Sequence, residues 1–461
     1  MLSIFHVLYA SAAFRGIRSD GAWYFIRQLN FLSDGIFKIA LDIHHPRFSV
    51  LALTQMTVIS AYSILFIKNK FSLMFIYSFA QFAIPLISLC WSFFLAKHTK
   101  KMNIFFWNLF TYCCIILLYE IYSVTESIQG ISFHFILWNY LSAEMEYKKR
   151  DILGIVFCIA MMRGTYEYTA YLGLFFFICC FYYAKQNCCI KSRIIKLLIG
   201  AGGLYTSLYT ILFMNKTADE AEEILRFLKE SLLPLPYLLQ LNSLISISAV
   251  ILLIIFAIKQ SKIKNLEIYI SSAVLSGAFF YLFTNLDISL NPGYEGIFRI
   301  LPCFWIAAVF PVIFLQDIFK KSINIEKQYN LFCIVLLCGI FLTLWQINHT
   351  RLWNEDVQNM KKFFSGINEK LYIYNTNNMA FKYGTETYSR YIEDYFLAAY
   401  SILFSDTYEQ NTIPVNTYYI SSFNVFKERN TIQIPYPVLN IKNEYWDLAK
   451  CAEALYEFKK K

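Results

Sequence analysis

The chain has 461 residues, of which 57% are hydrophobic and 19% aromatic, while only 16% are charged. A soluble domain carries about 25% charged residues, so this composition excludes a chain built of soluble domains alone. The net charge of +9 would ordinarily suggest nucleic acid. Here the bases sit in short clusters between apolar runs: Lys97/Lys100/Lys101, Lys148/Lys149/Arg150, Lys185/Lys191/Arg193, Lys259/Lys262/Lys264 and Lys320/Lys321/Lys327. That is the pattern of cytoplasmic loops under the positive-inside rule, and no nucleic-acid partner is expected.

Residues 2–14 form an apolar run that is short for a crossing. Ala10-Ser11-Ala12 resembles a signal cleavage site, but the basic segment that precedes such sites is missing. The run reads as a first helix with a clipped or misassigned start. After Asp20, polar groups recur at Arg27, Asn30, Asp34, Lys38 and Asp42, mostly four apart, with Ile26, Leu29, Ile36 and Ala40 on the other side. This periodicity predicts a helix lying in the membrane interface over 22–43, broken near Ser33-Asp34-Gly35 and ended by His44-His45-Pro46-Arg47. A weakly apolar, interfacial segment follows at 48–67.

Runs near the 20 residues a crossing needs are expected at 71–96, 103–120, 127–143, 152–163, 168–184, 194–214, 238–258, 266–285, 298–316 and 331–349. The stretch 152–184 is too long for one crossing and contains Arg163-Gly164, so it reads as two short helices meeting there. Thr217-x-x-Glu220 has the spacing of a capping box and predicts a surface helix over 215–237. Of the twelve cysteines, most lie inside apolar runs, as Cys113/Cys114 and Cys179/Cys180 do. No Cys/His spacing matches a zinc site, and they read as small buried hydrophobes.

With the N-terminus in the cytoplasm, all five basic clusters fall inside. The first loop (15–70), Glu120 to Glu126, the Arg163 turn, 215–237 and 286–297 fall outside. The first loop carries seven Lys/Arg; long loops obey the rule less strictly. The tail, 350–461, has no spanning run. Leu371–Tyr374, Thr417–Ile420 and Thr431–Ile434 read as strands, and Glu386–Phe404 as a helix. The expected fold is an all-α polytopic membrane bundle of about eleven transmembrane helices in 1–349, with interfacial helices in the first outer loop. A small C-terminal α/β domain over 350–461 would lie outside the cytoplasm.

Four constellations could carry chemistry. Asp20-Gly21-Ala22-Trp23-Tyr24, with Arg27 one turn on, places an acid at the water boundary, where it could serve as a general base; an interfacial loop acid is the plain alternative. His44-His45-Pro46-Arg47 could hold a phosphate or a metal, or could simply end a helix. Arg163-Gly164-Thr165-Tyr166-Glu167 sets ionisable groups between apolar helices, which makes them functional candidates, although the two could merely pair with each other. Tyr294-Glu295 and Arg299-Ile300-Leu301-Pro302 sit at the outer mouth of an expected crossing. Arg299 there could grip a phosphate or act as a snorkelling anchor. Glu120 and Glu126 read as a solvated turn. Asp20, His44, Arg163, Glu167 and Arg299 share the outer side in this topology.

This layout resembles the GT-C superfamily of membrane glycosyltransferases, and within it the branch of protein O-mannosyltransferases and bacterial lipid A aminoarabinose transferases. The residues that carry the resemblance are Asp20-x-x-x-Tyr24 opening the first outer loop, His45-Pro46-Arg47-Phe48, Met162-Arg163-Gly164, and Arg299-Ile300-Leu301-Pro302 at a late crossing. The order of elements through about residue 350 matches as well. The chain departs from that pattern at Gly21, where the family usually has a second acid. It departs again at the basic-Gly turn, which carries Arg and lacks the following Pro.

The resemblance implies inverting transfer of a sugar from a polyprenyl-phosphate carrier to a glycan, lipid or protein acceptor, at the outer face of a bacterial inner membrane. Asp20 would be the base. Tyr24, Arg27, His45, Arg47, Arg163, Glu167, Glu295 and Arg299 would bind substrate, with the two arginines Arg163 and Arg299 on the departing phosphate. A divalent cation is a candidate cofactor, with no ligand set assigned. A polysaccharide polymerase or ligase, a transporter, and a non-catalytic membrane protein are the alternatives.

Overall fold

The structure, a computed structural model, describes residues 1–18, 20–32, 48–117, 120, 126–163, 168–186, 189–214, 295–318, 329–367, 369–374, 396–405, 412–435 and 437–460. The described chain is mostly helical, with short strands confined to the C-terminal segment. Among the described residues, two helices are long and apolar enough to cross a bilayer, Lys70–Thr99 and Ile190–Leu212. Several helices expose large apolar side chains, including Phe94, Leu153, Ile178, Leu198, Leu212 and Leu337, each more than half exposed. The expected crossings 238–258 and 266–285, the helix over 215–237, and Asp34 to Arg47 lie outside the described residues.

The chain divides into two compact units. The first joins Met1–Ile87, Tyr119–Gln129 and Ile340–Lys461. It begins with α1 (Leu2–Ala12), a 3-10 turn at Arg15–Ile17 and α2 (Asp20–Leu32), followed by α3 (Phe48–Ser63) and the part of α4 (Lys70–Thr99) up to Ile87. Later come α11 (Tyr329–Ser365, numbering the helices in chain order) and the tail. At about 1.5 Å per residue, α1 is roughly 16 Å long, too short to cross a bilayer alone.

In the tail, β1 (Leu371–Tyr374) pairs in parallel with β2 (Ile413–Asn416), in register Leu371↔Ile413. A parallel pair needs a crossover, and α12 (Leu397–Phe404) lies between the two strands in sequence. An antiparallel sheet of β3 (Asn424–Phe426), β4 (Thr431–Gln433) and β5 (Val438–Asn440) follows, and α13 (Ala449–Lys460) closes the tail. Thr417–Ile420, expected as a strand, is a 3-10 turn instead, because the Asn416 side chain accepts the Tyr418 N–H and curls the backbone.

One apolar core runs through this unit without a break between helices and tail. Phe25, Ile26 and Leu29 of α2 share it with Trp353 of α11, Tyr400 and Phe404 of α12, Val415 of β2 and Trp446. The α11 helix continues past His349, the expected end of the membrane domain, and seats Trp353 with its indole N–H on the Ala13 carbonyl at 2.9 Å. Of the polar stripe expected on an interfacial helix, Arg27 and Asn30 are described, and Asn30 packs against the tail. Asn30 is buried, and its side-chain oxygen accepts the Asn440 N–H of β5 at 2.7 Å.

The second unit joins Ser88–Leu118 and Gly130–Gly339. It contains α5 (Met102–Thr111) with a following π turn (Tyr112–Ile116), α6 (Glu126–Ser142), α7 (Lys149–Met162), α8 (Tyr168–Lys185), α9 (Ile190–Met214) and α10 (Glu295–Ile318). Glycines bring α8 and α9 into backbone contact. A Cβ on Gly173 would stand 2.2 Å from the Gly203 carbonyl oxygen, the small-residue packing typical of apolar helix pairs. Trp138 is enclosed by Phe175, Phe176, Tyr183 and Phe310. Asp317 accepts from Lys101 at 3.1 Å and from Tyr183 at 2.7 Å.

Candidate functional site

The helix α1 ends at Ala12, and Phe14 turns the chain with a left-handed backbone (φ 53°). This sends Arg15 back into the first unit, where it is 2% exposed. A guanidinium buried this deeply must have its donors satisfied, and they are. One nitrogen donates to the Gln346 carbonyl at 3.1 Å and to Thr350 Oγ1 at 2.9 Å. The other donates to the Glu120 carbonyl at 2.6 Å and to Gln346 Oε1 at 2.5 Å. The guanidinium also lies over the Phe82 ring at 5.8 Å. Glu120 directs its carboxylate to His6 on α1, with Oε2 to Nε2 at 2.8 Å, and both residues are at most 2% exposed.

The solvated turn expected at Glu120 is therefore a buried polar cluster that ties α1, the 3-10 turn, Glu120 and α11 together. A sequence alone hid it, because each member looks ordinary and the partners lie far apart. The only prior signal was the cost of placing Arg15 and Glu120 beside apolar runs.

The cluster leads directly into α2. Asp20 is the first residue of that helix. Gly21 N–H bonds back to the Arg18 carbonyl at 3.0 Å. A Cβ on Gly21 would stand 1.9 Å from the Gly16 carbonyl oxygen, and one on Gly16 would stand 2.7 Å from Ser78 Cα of α4. Position 21 therefore has no room for the second acid of the resembled family. Tyr24 is buried at 8% exposure, beside Trp23 with ring centroids 4.5 Å apart. Arg27 is half-buried, with its guanidinium 5.8 Å from the Trp23 ring centroid and 5.7 Å from that of Phe31. Asp20, Tyr24 and Arg27 thus share one helix, and that helix is the element on which the tail sits.

In the second unit, Arg163 caps the C-terminal end of α7, where its N–H bonds to the Ile159 carbonyl. Its guanidinium lies 4.2 Å from the centroid of Tyr209 on α9, and its Nε is buried with no hydrogen-bond partner. Stacking fixes the plane of the fork while leaving donor capacity, which suits bidentate recognition of an oxyanion. Glu295 opens α10 and Arg299 lies in its second turn. His45, Arg47 and Glu167 lie outside the described residues.

Among the described residues, no three carboxylate, imidazole or thiol groups gather as a metal site would require. Position 21 also cannot add a second carboxylate to Asp20. No protein-family model, curated protein or solved structure matches the chain.

Proposed function

We propose that the chain is a multi-pass membrane glycosyltransferase that takes a sugar from a polyprenyl-phosphate donor at the extracytoplasmic face and inverts its anomeric centre. The observation that carries this reading is the placement of Asp20. It opens α2 directly after the apolar α1, on the same helix that holds Tyr24 and Arg27 and that docks the tail through Asn30. An acid at the mouth of an apolar helix, beside a folded soluble segment, suits deprotonation of an acceptor hydroxyl brought from the aqueous side. In the second unit, Arg163 is stacked and has an unused donor, a chemistry that suits an oxyanion such as a phosphate.

The topology fits as well. Lys70 at the start of α4 donates to the Ile402 and Ser405 carbonyls of the tail at 3.0 and 2.9 Å, and Lys97 and His98 close the same helix. If α4 crosses the membrane, its Lys70 end and its Lys97 end are on opposite sides, and the bases at the Lys97 end belong in the cytoplasm. About eleven crossings and a bacterial inner-membrane location complete the reading. Topology-reporter fusions at Lys100 and Asn440 test it: Lys100 should report cytoplasm and Asn440 the outside. Membranes carrying the protein should also release polyprenyl phosphate from a panel of radiolabelled polyprenyl-phosphate hexoses. A cytoplasmic Asn440 would place the tail, and with it the Asp20 helix that docks it, on the cytoplasmic side and overturn the reading.

A further inference from the structure

We infer that the turn between α3 and α4 inserts into a membrane leaflet, with Ile64, Leu65 and Phe66 among the acyl chains just below the headgroups. These three side chains are 69%, 66% and 78% exposed. The backbone around them is closed by hydrogen bonds. The Leu65 N–H bonds to the Ser60 carbonyl at 3.3 Å and the Ile67 N–H to the Ala61 carbonyl at 3.0 Å. The turn therefore presents three consecutive apolar side chains at one tip, while Ile67, next in the chain, packs back against the core.

Phe66 is the residue that points to an apolar partner. Its φ is 55°, in the left-handed region where a β-carbon is strained and glycine or asparagine is the ordinary occupant. The chain instead sets a large aromatic ring there and leaves it outside the core. In water this arrangement is unfavourable to the backbone and to the side chain alike. Transfer of the ring into hydrocarbon offsets both.

The occupant follows from what the turn is joined to. Lys70 opens α4 directly after Asn69, and α4 is long and apolar enough to cross a bilayer. Asn69 caps that helix, its side-chain oxygen accepting the Ser72 N–H at 3.0 Å, so turn and helix meet without a linker. With α4 as a crossing helix, the tip lies at a leaflet surface, where lipid is always present. On the other side of the tip, Tyr62 donates to Glu444 of the tail at 2.6 Å. An inserted tip so close to that bond seats the tail against the headgroups. The inference requires α4 to cross the membrane and is independent of the proposed sugar transfer.

The test replaces Phe66 by the photo-crosslinking analogue benzoylphenylalanine in the full-length protein and irradiates the cell membranes that carry it. Peptide mass spectrometry should find phospholipid attached at position 66. The same analogue at Tyr418, an aromatic residue of the tail that is 75% exposed, should acquire no lipid. Should the analogue at Phe66 prevent folding, Leu65, whose backbone is not left-handed, takes it instead. No lipid at either turn position, attachment to a second copy of the chain or to another protein in its place, or equal lipid attachment at Tyr418 would each overturn the assignment.

Discussion

His6 and Glu120, 114 residues apart in the chain, meet with His6 Nε2 2.8 Å from Glu120 Oε2. The same Glu120 offers its backbone carbonyl to Arg15, which in turn holds Gln346 and Thr350 of α11. The start of the chain is thereby fastened to α11 within a few residues of the turn that delivers Asp20. Because every member is buried, the cluster stabilises only while complete; a half-satisfied buried network costs more than an apolar one.

That asymmetry gives the first prediction. Glu120→Leu leaves His6 without its partner and should lower stability by about 1–3 kcal/mol, the cost of an unpaired buried polar group. His6→Leu strands the carboxylate and should cost more, since a buried charge loses its partner. The double substitution should recover part of the loss. Thermal unfolding of the detergent-purified variants measures this, and additive losses in the double variant would show that the contact carries no coupling.

A second prediction concerns Gly21. With the Gly16 carbonyl oxygen 1.9 Å from where a Cβ would sit, Gly21→Ala must displace the turn between α1 and α2. A loss of at least about 1–3 kcal/mol is expected from such overpacking, read as a lower melting temperature or poor recovery. Gly21→Asp, which would restore the second acid of the resembled family, should be at least as damaging. A normally stable Gly21→Asp would mean that the turn opens easily, and the steric account of this position would fail.

The contact between α3 and the tail predicts a pH dependence. Tyr62 donates its hydroxyl to Glu444 at 2.6 Å. Burial, the bond to Glu444 and the charge of that carboxylate together push the Tyr62 pKa up to about 12, and burial raises Tyr445 beside it too. The folded protein thus holds these protons more tightly than the unfolded chain does. Their contribution is fully present below the ordinary tyrosine pKa near 10 and is lost as pH rises toward 12. Protease susceptibility of the tail should therefore increase over that window, and Tyr62→Phe should show a shallower rise. An identical profile in Tyr62→Phe would remove Tyr62 from the account.

Much of the helical layout was legible because apolar runs stop where charges begin. The run 71–96 is α4 at Lys70–Thr99, 127–143 is α6 at Glu126–Ser142, and the break at Arg163 falls between α7 and α8. The strand expected at Leu371–Tyr374 is β1, and β4 at Thr431–Gln433 falls within the strand expected over Thr431–Ile434. The strand expected at Thr417–Ile420 is instead a 3-10 turn, where the Asn416 side chain decides the backbone. Hydrophobic period set Asn30 on the polar side of α2 but could not announce its partner, because a polar residue on a helix can face a neighbouring strand as readily as water. The cluster around Arg15 was illegible for another reason: Arg15 and Gln346 are 331 residues apart, and no local pattern announces a partner at that distance.

The central claim rests on Asp20 as the base that activates the acceptor. Asp20→Asn keeps shape and volume but removes the basic oxygen, so expression and melting temperature should stay near those of the unaltered protein. Release of polyprenyl phosphate from a radiolabelled polyprenyl-phosphate hexose, followed in membranes containing equal amounts of each protein, is the direct measurement. The rate should fall by a factor on the order of 10²–10⁴, the usual worth of positioned acid–base catalysis. Release at the unaltered rate in Asp20→Asn would contradict the account.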